Sequence, residues 1–74
     1  MNTQSTGEAV LKLALDEWGE RSLYPIDGEQ YAALVQSGAT KLIVDQDNKD
    51  GTFYNEVAFE GRKFGITTAT KLNG

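Results

Sequence analysis

The densest group of chemically active side chains is an acidic segment that contains Asp45, Asp47 and Asp50. Gly51 follows the last of them, and Glu56 lies eleven residues after Asp45. Alternating carboxylates before a glycine, closed by a glutamate, form the ligand pattern of calcium-binding loops. Here the glycine stands one position late, and a strand-like alternation follows it where a calcium loop would enter a helix. The same residues are typical of a soluble hairpin turn, so calcium binding is kept only as the last alternative.

Composition limits the other chemistries that the chain could perform. The 74 residues include no His and no Cys, which excludes common zinc sites, Ser-His or Cys-His nucleophile pairs, and disulfides. The remaining acid–base groups are carboxylates, Tyr and Lys, and no spacing sets two of them in an apolar pocket. We therefore expect no enzymatic activity, no catalytic residue, no metal site and no cofactor.

The charge of the chain is negative and unevenly distributed. Eleven Asp and Glu against seven Lys and Arg give a net charge of −4. Residues 1–60 contain all eleven acids and four basic residues, a balance of −7, whereas residues 61–74 contain three basic residues and no acid. This is not the basic face of a nucleic-acid or membrane binder. An acidic surface of this kind would complement a basic surface on a partner protein, including one that otherwise binds nucleic acid. An ordinary solvated surface, however, has the same composition.

The chain has the composition of one soluble globular domain. Its hydrophobic content of 39% and charged content of 24% are close to globular averages. No apolar run approaches the roughly 20 residues that span a bilayer, and the start lacks the features of a secretory signal. We expect a single cytoplasmic domain over residues 1–74, with residues 1–5 and 71–74 frayed.

Two helices are predicted in the first half of the chain. The first covers about residues 6–19 and begins at a capping box formed by Ser5 and Glu8. The second covers about residues 28–37, with Asp27 as its N-cap. Each has an apolar face at helical spacing. The first face comprises Val10, Leu11, Ala14, Leu15 and Trp18, and the second Tyr31, Leu34 and Val35.

From Lys41 onward the hydrophobic period changes from 3.6 to 2, which predicts three strands over residues 41–45, 52–59 and 62–70. A two-residue turn at 60–61 pairs Val57 with Phe64, and a four-residue loop at 48–51 pairs Val44 with Asn55. The prediction is an α+β domain of order α-α-β-β-β, with two helices on one face of a three-stranded antiparallel meander. Its inner face comprises Leu42, Val44, Phe53, Val57, Phe59, Phe64 and Ile66, with Asn55 as the polar exception.

The outward face of the predicted sheet combines an apolar centre with a charged rim. Its centre is Ile43, Tyr54 and Ala58, and its rim is Asp45, Glu56, Lys63 and Thr67. This composition is typical of a modest protein interface, although scattered apolar residues are also normal on a sheet. Direct nucleic-acid binding is not expected, because residues 28–37 contain no Lys or Arg to meet phosphate.

The leading hypothesis is a non-enzymatic protein-binding domain, an inhibitor or regulator that engages a basic partner surface. In its general character, small and acidic without Cys or His, the chain resembles many phage-encoded proteins that block a host protein. The predicted contact residues are Ile43, Asp45, Asp47, Asp50, Tyr54, Glu56 and Ala58. The alternative is a structural subunit or homodimer that joins through residues 66–70, an edge strand with few charges.

Overall fold

The helices and strands follow the predicted order with one short strand added between the helices. The computed structural model describes residues 6–73. Within them the elements are α1 (Gly7–Trp18), β1 (Tyr24–Pro25), α2 (Gly28–Gln36), β2 (Thr40–Asp47), β3 (Phe53–Phe59) and β4 (Arg62–Thr68). The broad α+β class is therefore confirmed.

Side-chain caps fix where both helices begin. The Asp27 side chain accepts from the Gln30 backbone N–H at 2.8 Å, and the Gln30 side chain accepts from the Asp27 N–H at 2.9 Å, so the predicted cap of α2 is confirmed. The N-cap of α1 is Thr6, whose hydroxyl accepts from the Ala9 N–H. The predicted cap residue Ser5 lies outside the described residues. Neither of these helices is long and apolar enough to cross a membrane.

The sheet has four strands in the order β1-β4-β3-β2, and β1 runs parallel to β4 whereas the other neighbours are antiparallel. The predicted three-stranded antiparallel meander is therefore wrong. Pro25 fixes extended backbone, and the Ile26 N–H donates to the Gly65 carbonyl at 3.0 Å. Tyr24 is fully buried, with its ring centroid 5.2 Å from that of Phe64. Two residues are too few to produce a strand period in the sequence.

The added strand changes the position of β4. The predicted strand 62–70 is too long, because β4 ends at Thr68, and it lies between β1 and β3 only where β1 pairs with it. Its pairing with β1 extends only over Phe64 and Gly65. Pairing between β4 and β3 follows the predicted register, with Val57 opposite Phe64.

Pairing between β2 and β3 departs from the predicted register. Lys41, not Leu42, lies opposite Val57, and two register shifts follow along β2. Each shift inserts an extra residue that a simple alternation cannot reveal. As a result Leu42 and Val44, which the sequence placed in the core, are 46% and 50% exposed.

The core lies between the helices and the inner face of the sheet. It contains apolar side chains from both helices and from three strands, and Leu72 packs against it from the C-terminal segment. Its buried apolar residues are Val10, Ala14, Tyr24, Tyr31, Ala33, Leu34, Val57, Phe59, Phe64 and Ile66.

The start of α1 packs closely against the end of α2 and against β3. Gly7 is buried, and its N–H donates to Ser37 Oγ at 2.7 Å. A Cβ at this position would lie 2.5 Å from Ser37 Cβ and 2.9 Å from the Phe59 ring. Glycine is therefore required here by space, since its neighbours are a short side chain and a core ring.

We expect Gly7→Ala to lower the free energy of unfolding by about 1–3 kcal/mol, because overpacking outweighs the better helix propensity of alanine. Urea denaturation measures the change. Gly28→Ala is the matched control, because a Cβ there has nothing within 4 Å. That variant should be as stable as the parent chain or more so. Equal effects of the two substitutions would contradict the predicted crowding at Gly7.

Candidate functional site

Four of the seven predicted contact residues lie on the outward face of the sheet, away from the helices. Ile43 is paired with Glu56 across β2 and β3, and Tyr54 and Ala58 share the outward side of β3 with Glu56. All four are half-buried. We call Ile43, Tyr54, Glu56 and Ala58 the outer patch.

The centre of the outer patch is the Tyr54 ring, which packs across Gly65 on the neighbouring strand. A Cβ at Gly65 would overlap the Tyr54 hydroxyl and lie 3.1 Å from two ring carbons. The hydroxyl donates to Glu56 Oε1 at 2.9 Å. Partial burial, together with that hydrogen bond and the Glu56 charge, raises the pKa of Tyr54 to about 12. The ring is thus held in one orientation and stays a neutral hydrogen-bond donor.

A depression of about 340 Å³ adjoins the Tyr54 ring, at the point where the chain leaves β1 for α2. Its lining carries no charged residue and combines β1, β3 and β4. It consists of Leu23, Pro25, Ile26, Tyr54, Gly65, Ile66 and Thr67. Of these, only Tyr54 belongs to the predicted contact set. Thr67 belongs to the predicted rim, and Ile66 and Thr67 to the alternative edge strand 66–70. Leu23, Pro25 and Ile26 were not predicted, because residues 22–26 have no strand period, although the apolar residues around Pro25 were the available signal.

The three predicted aspartates do not join the outer patch. Asp47 Oδ1 accepts from the Lys49 N–H at 2.8 Å, and Asp50 Oδ1 accepts from the Thr52 N–H at 3.0 Å. Hydrogen bonds from the side chain and backbone of Thr52 lower the pKa of Asp50. Both carboxylates are exposed and shape the turn between β2 and β3. They contribute charge at the end of the hairpin without adding to the apolar surface.

Asp45 instead holds the C-terminal segment, for which the sequence predicted a frayed end. Its two carboxylate oxygens accept from the backbone N–H groups of Leu72 and Asn73, at 2.9 and 3.2 Å. Its own N–H donates to Asn55 Oδ1 at 2.9 Å, and Asn73 Nδ2 donates to the same oxygen at 2.9 Å. Lys41 Nζ donates to Asn73 Oδ1 at 2.8 Å. We call Asp45, Asn55 and Asn73 the tail clamp.

The electrostatics of Asp45 reflect this role. Partial desolvation raises the pKa of its carboxyl, but the hydrogen bonds from Leu72, Asn73 and Asn55 outweigh that cost, so the pKa lies below its ordinary value. The charged form is therefore the one that the folded chain favours. Asp45 also has a φ of 48°, a left-handed conformation that Asp and Asn adopt more readily than most residues.

The acidic segment does not converge on a cation site. Among residues 6–73, no group of three or more His, Cys, Asp or Glu side chains is placed to hold a metal ion. The carboxylates that resembled a calcium loop have separate partners. Asp45 accepts from the C-terminal segment, Asp50 accepts from the turn, and Glu56 accepts from Tyr54.

No protein-family model, curated protein or solved structure matches this chain. Its function is inferred below from the outer patch, the depression beside it and the charges around them.

We expect Asp45→Asn to weaken the dependence of stability on acidic pH. The folded pKa of Asp45 lies below its unfolded value, so the folded chain binds fewer protons. The stabilisation is present above a pH of about 4 and is lost as the pH falls through the folded pKa. Asparagine tolerates the left-handed backbone but removes the charge and one acceptor. Chemical denaturation at neutral and acidic pH measures the difference.

Amide hydrogen exchange gives a second measure of the same substitution. Exchange at Leu72 and Asn73 should become faster in Asp45→Asn, because both amides donate to the Asp45 carboxylate. Asp16→Asn removes an equal charge on α1, where the carboxylate pairs with Lys12, and is the control. Unchanged exchange and an unchanged pH profile in Asp45→Asn would refute the role of the carboxylate.

Proposed function

We propose that this chain is a non-enzymatic protein-binding domain that engages its partner through the outer patch and the adjoining depression. The observation that carries this proposal is the fixed Tyr54 ring, packed over Gly65 beside an uncharged depression. Tyrosine is enriched among residues that dominate interface energies, because it combines apolar area with a polar tip. An inhibitor or regulator acts in this way, by occupying a surface that its target needs.

The position of the helices supports this choice of face. Both helices contribute to the core on the inner side of the sheet, whereas Tyr54, Glu56 and Ala58 on the opposite side stay half-buried. An apolar centre with polar residues around it is the usual anatomy of an interface. Because packing already fixes the Tyr54 ring, binding loses less side-chain entropy than it would with a free tyrosine.

The distribution of charge supports a basic partner. Asp47 and Asp50 project from the turn between β2 and β3, and Gln46 of the same hairpin lies opposite Tyr54. Their carboxylates are hydrogen-bonded within the turn but remain exposed to an approaching cation. Asp45 is not part of the proposed contact surface, because its carboxylate holds the C-terminal segment. A basic protein surface, including one that otherwise binds nucleic acid, would be attracted by this turn.

Tyr54→Ala should abolish specific capture of the partner from a lysate of the native organism, measured by affinity purification and mass spectrometry. The variant loses both the ring and the shape of the depression. Leu13→Ala is the control, because it truncates an exposed apolar residue on α1, outside the outer patch. Denaturation curves establish that both variants are folded. If the folded Tyr54→Ala variant still captured the partner, the outer patch would be excluded as the binding surface.

The double variant Asp47→Asn/Asp50→Asn tests the electrostatic part separately. Asparagine keeps the side-chain oxygen that accepts the turn hydrogen bonds, so the turn should survive while two charges are lost. We expect slower association with the captured partner and a weaker dependence of its rate on salt. Surface plasmon resonance at low and high salt measures both. An unchanged salt dependence would place the electrostatic attraction elsewhere on the chain.

A further inference from the structure

Among residues 6–73, no strand lies beside β4 on one side next to the depression. β1 covers β4 only at Phe64 and Gly65, and the last bond between them joins the Ile26 N–H to the Gly65 carbonyl. Backbone groups alternate sides along a strand, so Thr67, two residues after Gly65, directs its N–H and carbonyl to the same side. Within residues 6–73, no backbone group pairs with Thr67 on that side.

The opposite edge of the sheet is less suited to pairing with another chain. β2 forms that edge, and its two register shifts and the left-handed backbone of Asp45 interrupt a regular row of hydrogen-bonding groups. Such bulges protect an edge against strand addition. The C-terminal segment crosses toward Asp45 on β2 and does not lie along the open side of β4. The site at Thr67 is therefore the better edge for an added strand.

Side-chain alternation determines what an added strand would place in the depression. Thr67 lies opposite Tyr54, on the outward face. A residue paired with Thr67 from the open side would direct its side chain to the same face. It would enter the depression between Pro25 and the Tyr54 ring. The lining is uncharged, so an apolar side chain fits it best.

The charges around the depression indicate which residue type an added strand would carry at its end near α2. Residues 22–40 contain Asp27 and Glu29 and no Lys or Arg. Both acids are exposed, and they follow Ile26, where β1 leaves the sheet. Lys63 is exposed on β4, directly before the residues that pair with β1 and therefore at the end away from Asp27. A cationic residue in the added segment is therefore favoured beside Asp27 and disfavoured beside Lys63.

We infer that the partner contributes an extended segment that pairs with β4 at Thr67, inserts one apolar side chain into the depression and carries Lys or Arg beside Asp27. This inference rests on the proposed protein-binding function and gives it a recognition mode, the addition of a strand to a sheet edge.

The first test is amide hydrogen exchange of the free protein, followed by NMR. Thr67 should exchange much faster than Ile66, which faces β3. The same measurement at increasing protein concentration tests pairing with a second copy of this chain. Slow exchange at Thr67 at every concentration, or protection that grows with concentration, would overturn the inference of a separate partner.

The second test uses a displayed library of random peptides of about eight residues, selected on the folded protein. Selected peptides should share an apolar residue with a nearby Lys or Arg, and they should slow exchange at Thr67. Synthetic versions are then methylated at one backbone nitrogen at a time. Methylation of the one N–H that donates to the Thr67 carbonyl should weaken binding about tenfold, and methylation at the other positions should be tolerated, because β4 offers only that carbonyl beyond its pairing with β1.

Substitutions in the protein complete the test. Asp27→Asn retains a good N-cap while removing charge, so it should weaken binding of the basic peptides several-fold at low salt and not at high salt. Asp16→Asn removes the same charge on α1, outside the depression, and should bind normally at both salt concentrations. Peptides that tolerate methylation everywhere, or a library that yields no peptide protecting Thr67, would overturn strand addition. If strand addition were overturned in this way, the proposed function would still be supported by a Tyr54→Ala variant that no longer captures the intact partner protein.

Discussion

The arrangement of the hairpin and of the C-terminal segment depends on a fully buried amide, that of Asn55. A buried polar group without partners costs about 1–3 kcal/mol, which is a large share of the stability of a small domain. Asn55 Oδ1 is satisfied by the Asp45 backbone N–H and by Asn73 Nδ2. The first bond requires the shifted register of β2, and the second requires the chain end to return to the sheet. One inward-facing asparagine thus explains why β2 is bulged and why residues 72 and 73 are held.

This constraint also divides the acidic segment into separate roles. Asp45, Asp47 and Asp50 are close in sequence, but one carboxylate holds the tail and the other two close the turn. Their charges therefore do not form a single site. In the proposed binding mode, the exposed turn and Glu56 would attract a basic partner, and Tyr54 and the depression would make the apolar contact. Long-range attraction and short-range contact would then come from different residues, which makes the two separable by substitution.

The sequence predicted the features that local rules control. The capping box at Asp27 and the two-residue turn at Glu60 and Gly61, with φ of 52° and 78°, follow from residue types at fixed spacing. The register of β4 on β3 follows from that turn. β1 and the bulges of β2 were not predicted, since a two-residue strand has no period and a bulge interrupts one. The sequence identified Asn55 as the polar exception on the inner face, but no spacing rule identifies Asp45 and Asn73 as its hydrogen-bond partners. The depression could not be predicted, because it requires β1.

The outer face shows how stability and recognition are linked in a chain of this size. The helices pack on the inner side of the sheet, so the outer side is covered by its own side chains. Tyr54 provides that shield over Gly65, where the absence of a side chain would otherwise leave backbone exposed. The Glu56 hydrogen bond then holds the phenol in place. A ring fixed for stability is already organised for binding, so little additional ordering is needed when a partner arrives. The same packing forms one wall of the depression, so the surface proposed for a partner is also one whose side chains pack on the sheet.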